Sequence, residues 1–537
     1  MQQSLKINNF KGGLFMRSRR LLTLVLAGLL TMMTAAGCVK TTPTDTSKGK
    51  DIDSNEKISI KYWTPFTPNQ YIKSLNESLM YKELEKRTNV HVDFIHPAEG
   101  QELEQFNILV NSAKDMPDVI QTYAIEYKGG MDKAIKDGVY LRLNELIDKY
   151  APNFKKLLEE DPELARQVMT DEGNIYAFPV IGQDKNEPAW WGPVIRKDWL
   201  NDLSLKEPET IDDWHNVLKQ FKEKKNAVAP LMINKKGIDS YGTLVSAFGI
   251  GPGFYKKGNT VKYGPIEPEF KAYLETMNKW YNEGLIDKDF ATRDKKSKEA
   301  LITSGKTGAY LTEYSLVDQY SAAIKSTDAN AEFVPTIQPS LKAGENVHYR
   351  VVNNRNGGYE AVITSACKNP ERVVKWFDYA YGKEGYMLFN YGIEGTSYTM
   401  KDGKPKFTDI MTKNPDGLDF WTVCNKYKLD VGPYLRDYKA VPEFTKFDKD
   451  AMDKWTKAEA DYVMPSVNMT AEESDNYSAI MGDIDTYRDE MVLKFITGKE
   501  PLSKFDSYVA QLKKMRIDEA IKTNQDALGR YNNRKIK

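Results

Sequence analysis

Lys57-Ile58-Ser59-Ile60-Lys61-Tyr62-Trp63 alternates polar and apolar residues without a break, and a period of two predicts a half-buried strand. Downstream, Tyr71, Leu75, Leu79 and Leu84 fall near helical spacing within 69–88, and Val90, Val92 and Phe94 return to alternation. A third short apolar run, Asp118-Val119-Ile120, follows. Strand, helix and strand in this order predict a right-handed βαβ unit in a parallel sheet. Sheets of that kind take ligands at the carboxyl ends of their strands, where Trp63 and Tyr123 stand.

The same reading extends along the chain. Asn174 to Pro179 reads as a strand stopped by proline, and a loop with Trp190 and Trp191 leads into Val194–Leu200. Thr210 with Asp213 approximates a capping box ahead of a helix whose Ile211, Trp214, Val217, Leu218 and Phe221 share one face. Gly305–Leu311 reads as a glycine-bounded turn into a strand, and Asn369-Pro370-Glu371 as a helix start with Pro at its first position. Residues 451–494 and 506–531 read as further helices.

The chain has 537 residues, 76 Lys+Arg against 76 Asp+Glu. That length predicts two or more lobes, and the charge balance argues against nucleic acid as a partner. With 3 Cys and 4 His there is little material for a thiol or zinc centre, so no cofactor and no metal are expected. Cys367 and Cys424 read as unpaired residues, with a disulfide after export as the alternative.

Arg17, Arg19 and Arg20 precede the apolar run Leu21–Leu30, and Ala35-Ala36-Gly37-Cys38 follows. This is the pattern of an export signal, with Met16 as an alternative start, and the run is shorter than the about 20 residues of a membrane span. Removal of 1–37 takes five basic residues and no acidic one, leaving 71 basic against 76 acidic, a net charge of −5. Thr41–Asn55 is polar apart from Ile52 and reads as a flexible tether.

Ala-Ala-Gly-Cys resembles the bacterial lipobox, although Ala35 stands where the pattern favours Leu. The order of lipobox, tether, Met116–Ile120, Gly173–Pro179, Ile195–Leu200, Pro208–Trp214, Lys368–Arg372, Asn390–Gly395 and Thr497–Leu502 resembles the family 1 extracellular solute-binding lipoproteins of ABC sugar importers, as found in spore-forming Gram-positive bacteria. The resemblance implies an α/β, two-lobed periplasmic-binding-protein-like fold of type II. Each lobe would be a mostly parallel sheet flanked by helices, with a helical C-terminal extension.

It further implies a signal peptide over 1–37 and a lipidated Cys38 with its tether over 38–56. Lobe 1 would comprise 57–180 and 331–392, and lobe 2 would comprise 181–330 and 393–537. Crossings between lobes would fall near 179–191, 334–349 and 391–395. The implied activity is capture of an oligosaccharide by a monomeric receptor held on the extracellular face of the cell membrane by lipid alone. Closure of the lobes would present it to the permease subunits, without catalysis. Some relatives carry a calcium loop after the first crossing; Gln183-Asp184-Lys185-Asn186-Glu187-Pro188 is too short and too poor in carboxylates for one.

A sugar ring has an apolar face and a polar rim, so aromatic platforms beside amides, carboxylates and Arg are its natural partners. Trp63, Tyr123, Trp190, Trp191, Tyr314, Tyr391 and Trp421 are the candidate platforms, each equally readable as core. Asn353 and Arg355, beside Asn354, Asn356 and the Gly357-Gly358 pair, and the carboxylates Glu313 and Glu394 are the candidate polar partners. Trp199, Trp214, Trp280 and Trp376 lie on apolar helix faces and are expected in the core. Two other classes stay open: a secreted glycoside hydrolase or lyase, although no catalytic pattern nominates a residue pair, and a peptide-binding importer receptor.

Overall fold

The computed structural model describes residues 56–535, except 113–114, 123–126, 128, 185–187, 327, 419, 430–431 and 441–445. The expected signal peptide, Cys38 and most of the tether, together with Tyr123, lie outside the described residues. Along the chain the strands run β1 (Ile58–Trp63), β2 (Val90–Ile95), β3 (Val119–Thr122), β4 (Ala177–Gly182), β5 (Trp191–Arg196), β6 (Ala229–Met232) and β7 (Phe254–Lys257). They continue as β8 (Thr260–Tyr263), β9 (Thr307–Glu313), β10 (Phe333–Pro335), β11 (Asn356–Ile363), β12 (Tyr398–Lys401), β13 (Lys404–Phe407) and β14 (Leu435–Arg436).

Six strands form the first sheet in the order β14-β4-β11-β3-β1-β2, and four form the second in the order β10-β5-β9-β6. The alternation of β1 is realised: Ile60 and Tyr62 are buried in the first core, and β1 pairs parallel with β2 and with β3. The strand from Ala177 runs on through Pro179 to Gly182 instead of stopping, because its ladders continue beyond the proline: Ile181 pairs with Asn356 of β11, and Ile181 and Gly182 pair with β14. Each sheet is mostly parallel, as expected, with a single reversed strand. β11 runs antiparallel to β3 and β4, and β5 runs antiparallel to both β9 and β10. The physical reason is that β5 and β11 each enter their sheet directly from a crossing, without a helix to return the chain to the starting edge.

Helices cover both sheets. The capping box is formed: the Thr210 hydroxyl accepts from the Asp213 N–H, and the Asp213 carboxylate accepts from the Thr210 N–H. The helix Ile211–Lys225 that it opens buries Trp214, Val217, Leu218 and Phe221 in the second core, where Trp199 and Trp280 also lie. Trp376 sits in the first core on the helix Pro370–Tyr379. The long C-terminal helices Ala471–Thr497 and Ile517–Asn533 pack on the second core. The end of the last helix also grips the first lobe: Tyr531 bonds Glu163, and Arg530 and Arg534 both reach Asp171.

Residues 393–440, expected in the second lobe, pack with the first. Leu429 and Tyr434 belong to its core, and β14 pairs parallel with β4. No crossing occurs at 391–395, because Gly392 turns the chain back on itself. With φ at 89°, it brings the Ser397 hydroxyl to the Tyr391 carbonyl at 2.8 Å and to the Ile393 N–H at 2.7 Å. The chain passes between sheets from β4 to β5, from β10 to β11, and after β14 on the way to the helix Lys446–Trp455, whose Trp455 is fully buried in the second lobe.

Candidate functional site

The three crossings determine which edges of the two sheets meet. They leave the first sheet at the carboxyl ends of β4 and β14 and at the amino end of β11, which runs antiparallel to β3 and β4. They join the second sheet at the amino end of β5 and the carboxyl end of β10, level with the carboxyl ends of β6 and β9. The two carboxyl edges are therefore the ones brought together, and these are the edges at which open α/β sheets take ligands.

On the second sheet that edge is aromatic. Trp191 opens β5 opposite Glu313, the last residue of β9, and the Tyr314 N–H donates to the Trp190 carbonyl at 3.2 Å. Tyr241, on the loop after β6, lies 4.9 Å from both indoles, which stand 6.3 Å apart at 77°. All of these side chains are half-buried. Burial, followed by the Glu313 and Asp239 carboxylates, raises the pKa of the Tyr241 phenol, so it stays a neutral hydroxyl. Four sequence candidates, Trp190, Trp191, Glu313 and Tyr314, thus form one cluster; Tyr241 was missed, since a lone tyrosine in a loop carries no periodic signal.

Asp239, two residues before Tyr241, is buried, and its carboxylate accepts from the Tyr241 and Thr243 N–H groups at 3.0 and 3.1 Å. Burial outweighs these bonds and raises its pKa to about 6 from an ordinary 3.8. The folded carboxyl holds its proton to higher pH than the unfolded one. Its ionisation therefore lowers stability as pH rises from about 4 to 6, by roughly 3 kcal/mol in all. Denaturant melts of the protein and of Asp239→Asn at pH 4 to 8 are expected to show the wild type losing ground to the variant through that window. A difference constant with pH would overturn the assignment.

The first sheet's edge differs from expectation. Trp63 is 2% exposed and packs with Phe106, Ile120, Tyr140 and Val362, so it is core and not a platform: its position in β1 turns it to a buried face. Polar groups occupy the edge instead. The Thr64 hydroxyl lies 3.2 Å from the Tyr359 hydroxyl, and buried Gln121 at the end of β3 accepts from Tyr62. His96 donates from Nδ1 to the Thr64 carbonyl and accepts at Nε2 from the Leu75 N–H, while burial lowers its pKa, so it is a neutral brace.

Arg355 is committed to structure. Its guanidinium meets Asp161 at 2.6 Å and the Gly182 carbonyl at 2.9 Å, tying two crossings together, which leaves it unsuited to the ligand role expected of it. Asn353, half-buried, stands beside it on the crossing that leads into β11. Asp184, in the segment too short for a calcium loop, pairs with Lys439 at 2.8 Å. His348, isolated in the sequence, lies 2.9 Å from Glu459 and 3.1 Å from Asp461. Among the described residues neither Cys367 nor Cys424 is part of a disulfide.

Tyr391 belongs to a different aromatic group. Its ring lies 5.5 Å from Phe407, which leads through Phe420 to Trp421, 54% exposed. The helix bearing Trp421 is held to the loop after β1 by Asn69 on the Thr422 carbonyl and by Tyr71 on Tyr427. That places Trp421 beside the carboxyl end of the first sheet. Glu394 is exposed on the adjoining turn.

Comparisons with known proteins agree with this architecture. The chain is 27% identical to a fructooligosaccharide ABC transporter substrate-binding protein of Streptococcus pneumoniae, over 96% of this chain and 98% of that one. It is 26% identical to a polygalacturonan/rhamnogalacturonan-binding protein of Bacillus subtilis, over 71% of this chain and 74% of the relative. Among solved structures, an alginate-binding protein without calcium ion aligns with a TM-score of 0.63 at 26% identity, over 89% of this chain and 99% of that one. A family profile matches residues 73–387, more than half of the chain, and on that match the chain belongs to the bacterial extracellular solute-binding proteins.

Proposed function

We propose that the protein captures an oligosaccharide between the carboxyl edges of its two sheets and delivers it, unaltered, to the permease subunits of an ABC importer. The observation that carries this reading is the half-buried cluster of Trp190, Trp191 and Tyr241 with Glu313, set where the crossings join the two lobes. Flat aromatic faces suit sugar rings, and the carboxylate and phenol suit their hydroxyls. The curated relatives that carry named substrates bind saccharides, which supports the same class.

Closure is proposed to turn on the three crossings, with the sugar favouring the closed form by its greater affinity for it. The C-terminal helix, bonded to both lobes, would limit how far they part. The anchor is proposed to be a lipid on Cys38 after loss of 1–37, with the folded body a monomer outside the membrane. Among the described residues no helix is long and apolar enough to cross a membrane.

A thermal-shift screen against neutral and acidic oligosaccharides, monosaccharides and peptides tests this. A sugar present at one hundred times its Kd is expected to stabilise the protein by about 2.7 kcal/mol and to be recovered intact. Cleavage of the sugar would make the protein an enzyme, and a hit confined to peptides would overturn the substrate class.

A further inference from the structure

Beside the aromatic cluster, the carboxyl end of β6 opens into a cavity of about 190 Å³. Its floor is Met232, Ile233 and Phe290, and its rim is cationic: Lys235, Arg293, Lys295 and Lys298 against the single carboxylate of Asp294. That carboxylate is already engaged, capping the helix Lys295–Thr303 by accepting from the Ser297 N–H at 2.8 Å. Arg293 is engaged as well, held by Asp287. Lys235 and Lys298 differ from it: neither ammonium has a carboxylate within ion-pair distance among the described residues.

Lys298 is half-buried, and burial lowers its pKa, with Glu299 and Asp239 opposing from farther off. A partly desolvated ammonium without a close counter-ion is costly, and an incoming anion at hydrogen-bond distance would offset that cost. The helix Lys295–Thr303 supplies Leu301 and Ile302 to the same apolar cluster that carries Trp190, Trp191, Tyr241 and Tyr314, so the cavity and the aromatic group are neighbours on one edge.

We infer that this cavity is a subsite for the anionic group, carboxylate or sulfate, of an acidic oligosaccharide, with Lys298 and Lys235 as its ligands. The inference rests on the saccharide reading above and names the class of sugar within it. It separates the two roles: the aromatic faces hold the rings, and the lysines select for charge.

The test is calorimetric titration of the protein with trigalacturonate, its methyl ester, a sulfated trisaccharide and a neutral fructotriose. An acidic sugar is expected to bind at least about tenfold more tightly than the methyl ester, and 0.5 M salt is expected to weaken it selectively. Whichever of the two acids binds tighter identifies the group. Lys235→Gln, an exposed position that leaves folding intact, and Lys298→Gln are each expected to lose about tenfold in affinity for that acid while leaving any neutral-sugar affinity within about twofold. Equal binding of acid and ester, or insensitivity of the acid to both substitutions, would overturn the subsite while leaving sugar capture standing. Failure of all four sugars to bind would overturn the capture reading and the subsite with it.

Discussion

Replacing Trp190 with alanine is expected to weaken oligosaccharide binding by about 30-fold or more, the scale of removing a central aromatic anchor, about 2 kcal/mol. Trp190 lies 4.9 Å from Tyr241 at 72°, so each ring braces the other edge to face, and truncation would remove both the proposed sugar platform and the support of its neighbour. Trp190→Phe should retain most of the affinity, because a smaller flat ring still meets the sugar face. Trp421→Ala is the informative contrast: that indole is already 54% exposed and packs edge to face on Phe420, so its loss should cost less. Titration of the three variants with the best sugar from the screen decides the matter. Wild-type affinity in Trp190→Ala would show that the cluster serves packing alone.

The second large effect concerns stability. Arg196 closes β5 with its side chain fully buried; it donates to Asp198 at 2.8 and 2.5 Å and to Asp328 at 2.7 Å, and stacks 4.4 Å from the Trp199 ring centre. Asp198→Ala removes the more buried counter-charge and leaves a guanidinium in the interior, which is expected to cost about 3 kcal/mol. The same substitution removes the acceptor of the Glu332 N–H that joins β10 to this corner. Arg196→Met, by contrast, removes the charge together with its need for partners and keeps a stem of similar length, so it should cost less. Urea melts of the two variants read the difference. An Asp198→Ala protein as stable as wild type, or an Arg196→Met protein less stable than Asp198→Ala, would show that the pair is not the electrostatic keystone of the corner.

Local pattern carried far along this chain. The period of two in 57–63 and 90–95, the Thr210–Asp213 box and the Asn369-Pro370 start all became the elements they predict, because each is decided by interactions within a few residues. The four tryptophans on apolar helix faces went to the core for the same reason. Trp190, Trp191, Glu313 and Tyr314 were legible as a group only because strand ends and crossings are where polar and aromatic residues lack a local structural reason.

Tertiary structure decided what depends on distant partners. Whether Trp63 faces a core or a cleft turns on what packs on that face of the sheet, and Ile120 of β3 and Val362 of β11 bury it together with Phe106 and Tyr140. Arg355 resembled a ligand group in sequence, and only the approach of Asp161, 194 residues away, commits it to the crossing. The reversed direction of β5 and β11 and the path of 393–440 were equally out of reach, since the alternation of a strand is the same whether it runs parallel or antiparallel. The sequence by itself determined the elements and the class of protein, through short-range hydrogen bonding and periodicity. The site was decided by the three crossings, which bring two sheet edges together that no local pattern connects.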